Sequence, residues 1–569
     1  MRHIFGVPGD YNLELVQHLE DRGRPEWVGC CNELNELNAS FASDGYARLS
    51  GISALVVTNG VGALSAINGI AGSHCEHVPV VCICGSIPLN SMQHGLLMHH
   101  TLADGGLEDR FRRMFAEVTV AQALITPENA ACEIDRLILA AWRRKLPVYL
   151  ELPSDVGFLE IDVPEAPLQL SYQASDRERL NTCLQQILTR LREASDPALL
   201  LGMDADRYGV MPQLRALAEI LQIPVATMTG AKAVFPEESP LFVGIYNGSE
   251  GRPELRRMVE ESDCLLAVGF RKIDWITGFF TDNIPKSTIH LNGQSTDVGG
   301  ENFQGVFLGE LLTCLAKEAS SSFAKVANRK HPVTPAFSSL ASESLVTSPS
   351  SSGSDQRPLR QKDFWEAMQH FIKPGDVIVA EAGTSNAGSS ALCLPKDASF
   401  ISQAVWGSIG SSVGSLLGTL LAARERRQIL LVGDGSFQLT CQEVSTMMAQ
   451  GLKPLIFLIN NSGYTVERTI LGRTAKCNDI ANWKYTEVVK AFSRTQEIET
   501  CVVGTLGELQ PILSAQHNSL LFVEVVMDRF DSPPSLVRFG HSAAKINFGS
   551  RGPQFAKGAQ ITEDEGHSI

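Results

Sequence analysis

The residues best suited to chemistry form two short runs, Gly433-Asp434-Gly435-Ser436 and Asn460-Asn461-Ser462-Gly463. Each run follows an apolar segment, Ile429-Leu430-Leu431-Val432 and Pro454 to Ile459, of the kind that forms a buried parallel strand. The glycines let the backbone turn sharply and bring its N–H groups close to an anion. Asp434 offers a hard carboxylate oxygen, Asn461 an amide oxygen, and the backbone near Gly463 a free carbonyl. Two adjacent strand ends would then present the oxygen set of a small octahedral cation resting on phosphate, which is Mg²⁺. The 27 positions from Asp434 to Asn461 hold one strand–helix–strand unit, with its helix over Glu443 to Gln450. Either run by itself reads as an ordinary turn, since Asp-Gly turns are common. Both together, at this distance, do not.

The elements that position these runs are set out along a chain too long for one core. At 569 residues, three domains are expected. A hydrophobic content of 44% and a charged content of 20% suit a soluble globular protein. The net charge of −15 argues against nucleic acid or an anionic membrane as partner. No apolar run reaches transmembrane length, and Met1-Arg2-His3-Ile4-Phe5 lacks the features of a secretory signal. The 13 cysteines are scattered, several inside apolar runs (Cys82, Cys84, Cys264), with no C-x-x-C pair. Zinc and disulfide frameworks are therefore not expected, and the reducing cytoplasm is.

In the first stretch, strands near Ile4, Trp27 to Cys31, Ser53 to Thr58, Val78 to Cys84 and Val148 to Leu152 alternate with helices, the pattern of a doubly wound α/β domain. A second α/β domain spans about 176–317, with strands near Ala198 to Leu201, Pro224 to Thr227 and Cys264 to Val268. It shows no glycine fingerprint and no acid–base cluster, so a structural role is expected. Residues 318–358 are Ser-rich linker chemistry. A third α/β domain, 359–548, carries the two opening runs between strands Val377 to Ala380 and Leu520 to Val526. The last stretch, 549–569, is a polar tail.

With Gly463-Tyr464-Thr465-Val466-Glu467-Arg468 added, the two runs resemble the diphosphate-binding signature of thiamine diphosphate (ThDP) enzymes, and within these the pyruvate and indolepyruvate decarboxylase family of 2-oxo acid decarboxylases. The resemblance covers essentially the whole chain. It implies three doubly wound α/β domains of the ThDP-enzyme type: pyrimidine-binding (1–165), middle (176–317) and diphosphate-binding (359–548). In that family the cofactor lies between the first domain of one subunit and the third of its partner, which implies a homodimer or homotetramer. The substrate implied is a small 2-oxo acid, pyruvate or a larger aromatic or branched one. The family carries a further helix before the first strand, so a start at Met1 is expected to bare an apolar sheet face.

The resemblance also assigns residues. ThDP chemistry needs a carboxylic acid beside N1′ of the aminopyrimidine, while the cofactor itself accepts the electron pair released with carbon dioxide. The family's glutamate sits in an Asn-Glu-Leu-Asn segment, which is duplicated here as Asn32-Glu33-Leu34-Asn35-Glu36-Leu37-Asn38. Counting back from Asp44-Gly45-Tyr46 selects Glu36; counting forward from Asp10 or Trp27 selects Glu33. Glu36 is preferred, because the helix behind it must keep its apolar face in register and the turn absorbs an insertion more easily. His99 and His100 resemble the family's paired histidines that donate to the substrate carboxylate. Asp10 and Glu467 match its active-site acids, and would raise one another's pKa if brought together with the histidines.

Glu381-Ala382-Gly383-Thr384-Ser385 resembles the cofactor loop, with Thr384 near the diphosphate alongside Gly435 and Ser436. Ala382 lacks the hydroxyl that many pyruvate decarboxylases place there. Trp406-Gly407-Ser408-Ile409-Gly410 matches closely: the Gly407 carbonyl would accept from the cofactor amine and Ile409 would support its bent form. For single residues the plain alternatives are a turn or helix cap for Asp10, helix-dipole complementation for Glu467 and ordinary core for Ile409. A ThDP carboligase and a non-catalytic relative are the competing functions. The histidine pair and Glu467 argue against the first; only the duplicated Asn-Glu-Leu and the short N-terminus favour the second.

Overall fold

A computed structural model describes residues 1–29, 35–102, 109–322, 336, 356–492 and 498–549. Glu33, most of the Ser-rich linker and the polar tail after Gly549 lie outside the described residues.

The first sheet has the order β2-β1-β3-β4-β6-β5, built from β1 (His3–Gly6), β2 (Glu26–Val28), β3 (Ser53–Thr58), β4 (Val80–Ser86), β5 (Gln122–Leu124) and β6 (Val148–Pro153). All its pairings are parallel. Helices cover both faces, so β3 is buried at every position and reads as an unbroken apolar run. Short β5, only three residues long, gave no sequence signal.

The middle sheet has seven strands and is mixed. Parallel strands β7 (Pro197–Leu201), β8 (Val225–Thr227), β9 (Phe242–Ile245), β10 (Cys264–Val268) and β11 (Ile289–Asn292) are extended by an antiparallel meander of β12 (Ser295–Val298) and β13 (Glu301–Gln304). The sequence pattern showed only β7, β8 and β10. The others lie toward the edges, where half-exposed residues break the apolar run.

The third sheet runs β15-β14-β16-β17-β19-β18, all parallel: β14 (Val377–Ala380), β15 (Ser399–Ile401), β16 (Gln428–Gly433), β17 (Leu455–Asn460), β18 (Ile498–Val503) and β19 (Leu520–Val526). β16 and β17 are neighbours in register, Gly433 opposite Ile459. Their carboxyl ends, with that of β14, open on one crevice edge, the place where open α/β sheets bind ligands.

The first and third sheets share one core. The helix Glu36–Ser50 lies on the helix Ser411–Ala422, and a single buried cluster joins Phe5, Leu55 and Tyr46 to Val413, Leu416 and Leu430. The backbones touch: a Cβ on Gly418 would sit 1.9 Å from the Ala42 carbonyl oxygen. No helix among the described residues is long and apolar enough to cross a membrane.

Candidate active site

The third-sheet half is built on the ends of β14, β16 and β17. Asp434 opens a short helix, Asp434–Thr440, so the sharp glycine turn expected from the sequence is instead a strand running straight into a helix. Gly433 is extended, at φ −77°, and Gly435 is needed for space: a Cβ there would lie 2.5 Å from the Tyr464 ring. Asp434 is 1% exposed. Its Oδ1 accepts from the Gly435 amide at 2.8 Å and its Oδ2 from the Gly463 amide at 3.1 Å. Burial pushes this carboxyl up to about 6, against the pull of those amides and of Arg468.

The loop after β17 is held from inside by Arg468, a buried residue of the helix Thr465–Leu471. Its guanidinium donates to the carbonyls of Asn461 (3.2 Å), Ser462 (2.6 Å) and Asn478 (3.3 Å), and to Asp479 (2.9 Å). Asn460 is tied back into the sheet through Glu524 at 2.7 Å, so Asn461 is the member of the pair left beside the loop. The Gly463 carbonyl is not free as expected: it accepts from the Thr465 amide at 3.1 Å, which leaves it one lone pair.

Glu381, at the end of β14, is buried, and burial raises its pKa. It accepts from the amides of Ala382 (3.0 Å), Gly410 (3.0 Å) and Ser412 (3.3 Å) and from the Ser412 hydroxyl (2.6 Å). Thr384, two residues past Ala382, is buried at the start of the helix Thr384–Ser390. Ser436 is buried in the helix after β16. The Trp406-Gly407-Ser408-Ile409 loop is braced by the first domain. Glu76 accepts from the Val405 and Trp406 amides at 2.6 and 3.1 Å, while Asn68 pairs with Trp406 Nε1 at 2.8 Å and Ser408 Oγ at 3.1 Å. Ile409 is left 38% exposed, which removes its reading as ordinary core. Glu76, Asn68, Glu381 and Arg468 were not assigned these roles from sequence; their partners are remote in the chain and no spacing announces them.

The first-sheet half gathers at the ends of β1 and β3. Asn12 braces the loop after β1, accepting from the Gly9 amide and donating to the Val7 carbonyl. This sets Asp10 against residues 89 positions on: His99 Nε2 lies 2.5 Å from Asp10 Oδ2 and His100 Nδ1 3.9 Å from Oδ1. The Tyr11 hydroxyl is 3.1 Å from His99 Nδ1 and 3.2 Å from its carbonyl, and the Tyr11 ring stacks on His99. Burial and the Asp10 charge raise the Tyr11 pKa, so it stays a neutral hydroxyl.

Glu36 is the first residue of its helix, where Asn35 caps by accepting from the Asn38 amide. Its Oε1 points at the start of the next helix, 3.1 Å from where a Gly62 Cβ would be. Glu467 is exposed. Among the described residues, no hydrogen bond or ion pair joins Glu467 to Asp10 or the histidines, so the expected four-residue cluster is not assembled within one chain; Asp10, His99 and His100 are.

Three families of thiamine pyrophosphate enzyme domains match in order: the N-terminal TPP binding domain at residues 1–105, the central domain at 184–308 and the C-terminal TPP binding domain at 381–525. An alpha-keto-acid decarboxylase of Mycobacterium avium is 39% identical over 538 residues, covering 94% of this chain and 92% of that protein. The chain belongs to the thiamine diphosphate-dependent 2-oxo acid decarboxylases. A pyruvate decarboxylase of Hanseniaspora uvarum is 37% identical, and pyruvate decarboxylase isozyme 2 of Saccharomyces cerevisiae 36%, each over 558 residues and 96% of both chains. Of the functions weighed from sequence, decarboxylation is the one these relatives support.

The third-sheet residues fit the family's cofactor and a cation with it. A carboxylate at 1% exposure with its pKa raised by burial is a charge waiting for a counter-charge. Its Oδ2 meets the Gly463 amide, on the loop that also carries Asn461 and the half-used Gly463 carbonyl. Without the cation, Asp434 has a stability consequence. Its folded pKa of about 6 lies above the ordinary 3.8, so the folded state binds the proton more tightly. The stripped protein should gain stability as pH falls from about 6 toward 4, and lose it again as pH rises. The shift is worth about 3 kcal/mol at pH 7. Asp434→Asn removes the titrating group, although its NH2 meets one of the two amides that the carboxylate accepts from, and should flatten the pH dependence of the stripped protein's melting temperature between pH 4 and 6, as read by scanning calorimetry.

Proposed function

We propose that this chain is a Mg²⁺-dependent, cytoplasmic 2-oxo acid decarboxylase that releases an aldehyde and carbon dioxide, acts on a small-molecule substrate without nucleic acid or membrane, and works as a homodimer or homotetramer. Its functional units are 1–165, 176–317 and 359–548; the helix Leu308–Ser322 carries the second unit past the expected linker start at 318, so the Ser-rich linker to the third unit begins after Ser322. The observation that carries the reading is the buried Asp434 at the end of β16, set against the Asn461–Gly463 loop at the end of β17. Thiamine diphosphate, when bound, supplies the electron-accepting centre on which the bond to the substrate carboxylate breaks.

The chain's own groups do the rest. Asp434, the Asn461 amide oxygen and the Gly463 carbonyl hold the cation, and Thr384, Gly435 and Ser436 face the diphosphate. The Gly407 carbonyl accepts from the aminopyrimidine and Ile409 offers it an apolar support. Glu36 holds a proton at its carboxyl beside the pyrimidine ring. His99 and His100 donate to the substrate carboxylate, with Asp10 and the Tyr11 hydroxyl fixing the His99 ring. Asp10 and Glu467 hand on the proton that completes the aldehyde; Glu467 comes from the partner subunit's third domain, in keeping with its exposure here. Purified chain with ThDP, Mg²⁺ and a panel of 2-oxo acids should give carbon dioxide and aldehyde in equal amounts. Hydroxyketone as the main product would make it a carboligase, and no product at all a non-catalytic relative.

Substrate size follows from Val466, where pyruvate-specific enzymes of the family often carry Ile. The Val466 Cγ1 lies 3.9 Å from the position of a Gly383 Cβ, and Val466 packs against the cluster of Ile470, Ala543 and Ala544. Together with the missing hydroxyl at Ala382, this leaves room beside the site. Phenylpyruvate, indolepyruvate or branched 2-oxo acids should show kcat/KM at least comparable with pyruvate. Val466→Ile should move that ratio toward pyruvate by about 10-fold, the worth of one methylene. A parent enzyme strongly selective for pyruvate would contradict this.

A further inference from the structure

We infer that Asp10, His99 and His100 form a second metal site, for a borderline first-row divalent cation such as Zn²⁺, separate from the oxygen site at Asp434. One oxygen of Asp10 and one ring nitrogen of each histidine lie within 4.8 Å of one another. Two imidazoles and a carboxylate suit Zn²⁺ or Co²⁺ and are a poor set for Mg²⁺, which takes oxygen. On a tetrahedral ion with bonds of about 2.0–2.1 Å, neighbouring ligand atoms stand roughly 3.3 Å apart. His99 Nε2 lies 2.5 Å from Asp10 Oδ2 and His100 Nδ1 3.9 Å from the other oxygen, Oδ1, so side-chain rotation has to open the first pair and draw in the second.

Two further features prepare the site. His100 Nδ1 is shielded from solvent and has no hydrogen-bond partner among the described residues, although its nearest acidic oxygen is on Asp10. A ligand atom without a partner loses no hydrogen bond on binding a cation. On the other side, the Tyr11 hydroxyl reaches both His99 Nδ1 and the His99 carbonyl. It can donate to the carbonyl and accept from Nδ1–H. In that arrangement Nδ1 carries a hydrogen, so once the proton between Nε2 and Asp10 has left, the lone pair for the cation is on Nε2, the nitrogen facing Asp10, as in metal-bound histidines held by an outer partner. The proton shared by His99 Nε2 and Asp10 leaves to solvent when the cation enters. The Asp10 and His99 side chains are accessible, so water can reach the remaining positions from their side. A cation there occupies the nitrogens that the proposed function gives to the substrate, and so would compete with the 2-oxo acid.

The test uses holoenzyme saturated with ThDP and Mg²⁺ and carrying Cys132→Ser and Cys477→Ser, since these two thiols are exposed and bind soft metals. Zn²⁺ is titrated by calorimetry, and Co²⁺ by its visible absorption. One site per chain is expected, with proton release. It should weaken by at least ~10–100-fold in His99→Gln and in His100→Gln. It should be unchanged in His94→Gln, whose ring is bonded to the Asn90 carbonyl outside the cluster. Circular dichroism checks that each variant is folded. Absence of a site in the parent, or equal binding in both cluster variants, would overturn the inference. Binding is read without turnover, so a failed metal titration is distinguishable from a failed substrate assignment.

Discussion

Asp434→Ala should abolish cofactor retention. The substitution removes the only charged side chain assigned to the cation, and with it the acceptor for the Gly463 amide at 3.1 Å. Cation affinity should fall by at least about 100-fold, beyond the loss typical of an outer-shell partner. Because the diphosphate is held largely through the cation, ThDP should wash out on gel filtration and calorimetry should detect no binding at ordinary concentrations. Asp434→Asn separates charge from geometry. It keeps an oxygen for one of the two amides but carries no charge, and should fail nearly as badly while the stripped protein loses the pH dependence that Asp434 gives it. ThDP binding as tight as in the parent, in either variant, would sink the Mg²⁺ assignment.

Glu36→Gln should remove most of the activity, by about 10²–10⁴-fold, the range for loss of a positioned proton-transfer group. The amide keeps the size of the side chain and its place at the helix start, but cannot hold the proton. Exchange of the C2 proton of bound ThDP, followed by NMR, should slow by a similar factor while ThDP affinity changes little. Glu33→Gln should leave much of that exchange intact. Glu36 has the better claim because it opens a helix whose residues Asn38, Phe41, Ala42, Gly45 and Tyr46 meet the helix Ser411–Ala422. The extra residues of the duplicated segment precede that register and need not disturb it. The opposite ranking of the two variants would give the role to Glu33.

The sequence by itself determined the family and most of the sheet framework. Central strands such as Ser53–Thr58 and Val377–Ala380 are buried on both faces, so their apolar runs are legible, and Leu520–Val526 keeps that pattern apart from Glu524. The site runs were legible for a related reason: they stand at the ends of two adjacent parallel strands, a fixed chain length apart, and spacing survives in one dimension. Edge strands such as Gln122–Leu124 and Glu301–Gln304 were not, because only one residue of each is buried. Only the tertiary structure showed that Gly435 makes room for the Tyr464 ring and that the Gly463 carbonyl is half used. It alone brought Asp10 to His99 across 89 residues, and Glu76 under the Trp406 loop across 330. It also showed the first and third sheets sharing one core through helices that touch backbone to backbone at Gly418. Such contacts depend on where distant segments come to rest in space. A local pattern of polarity carries no record of that, whereas the periodicity that buries a strand is written in the strand itself.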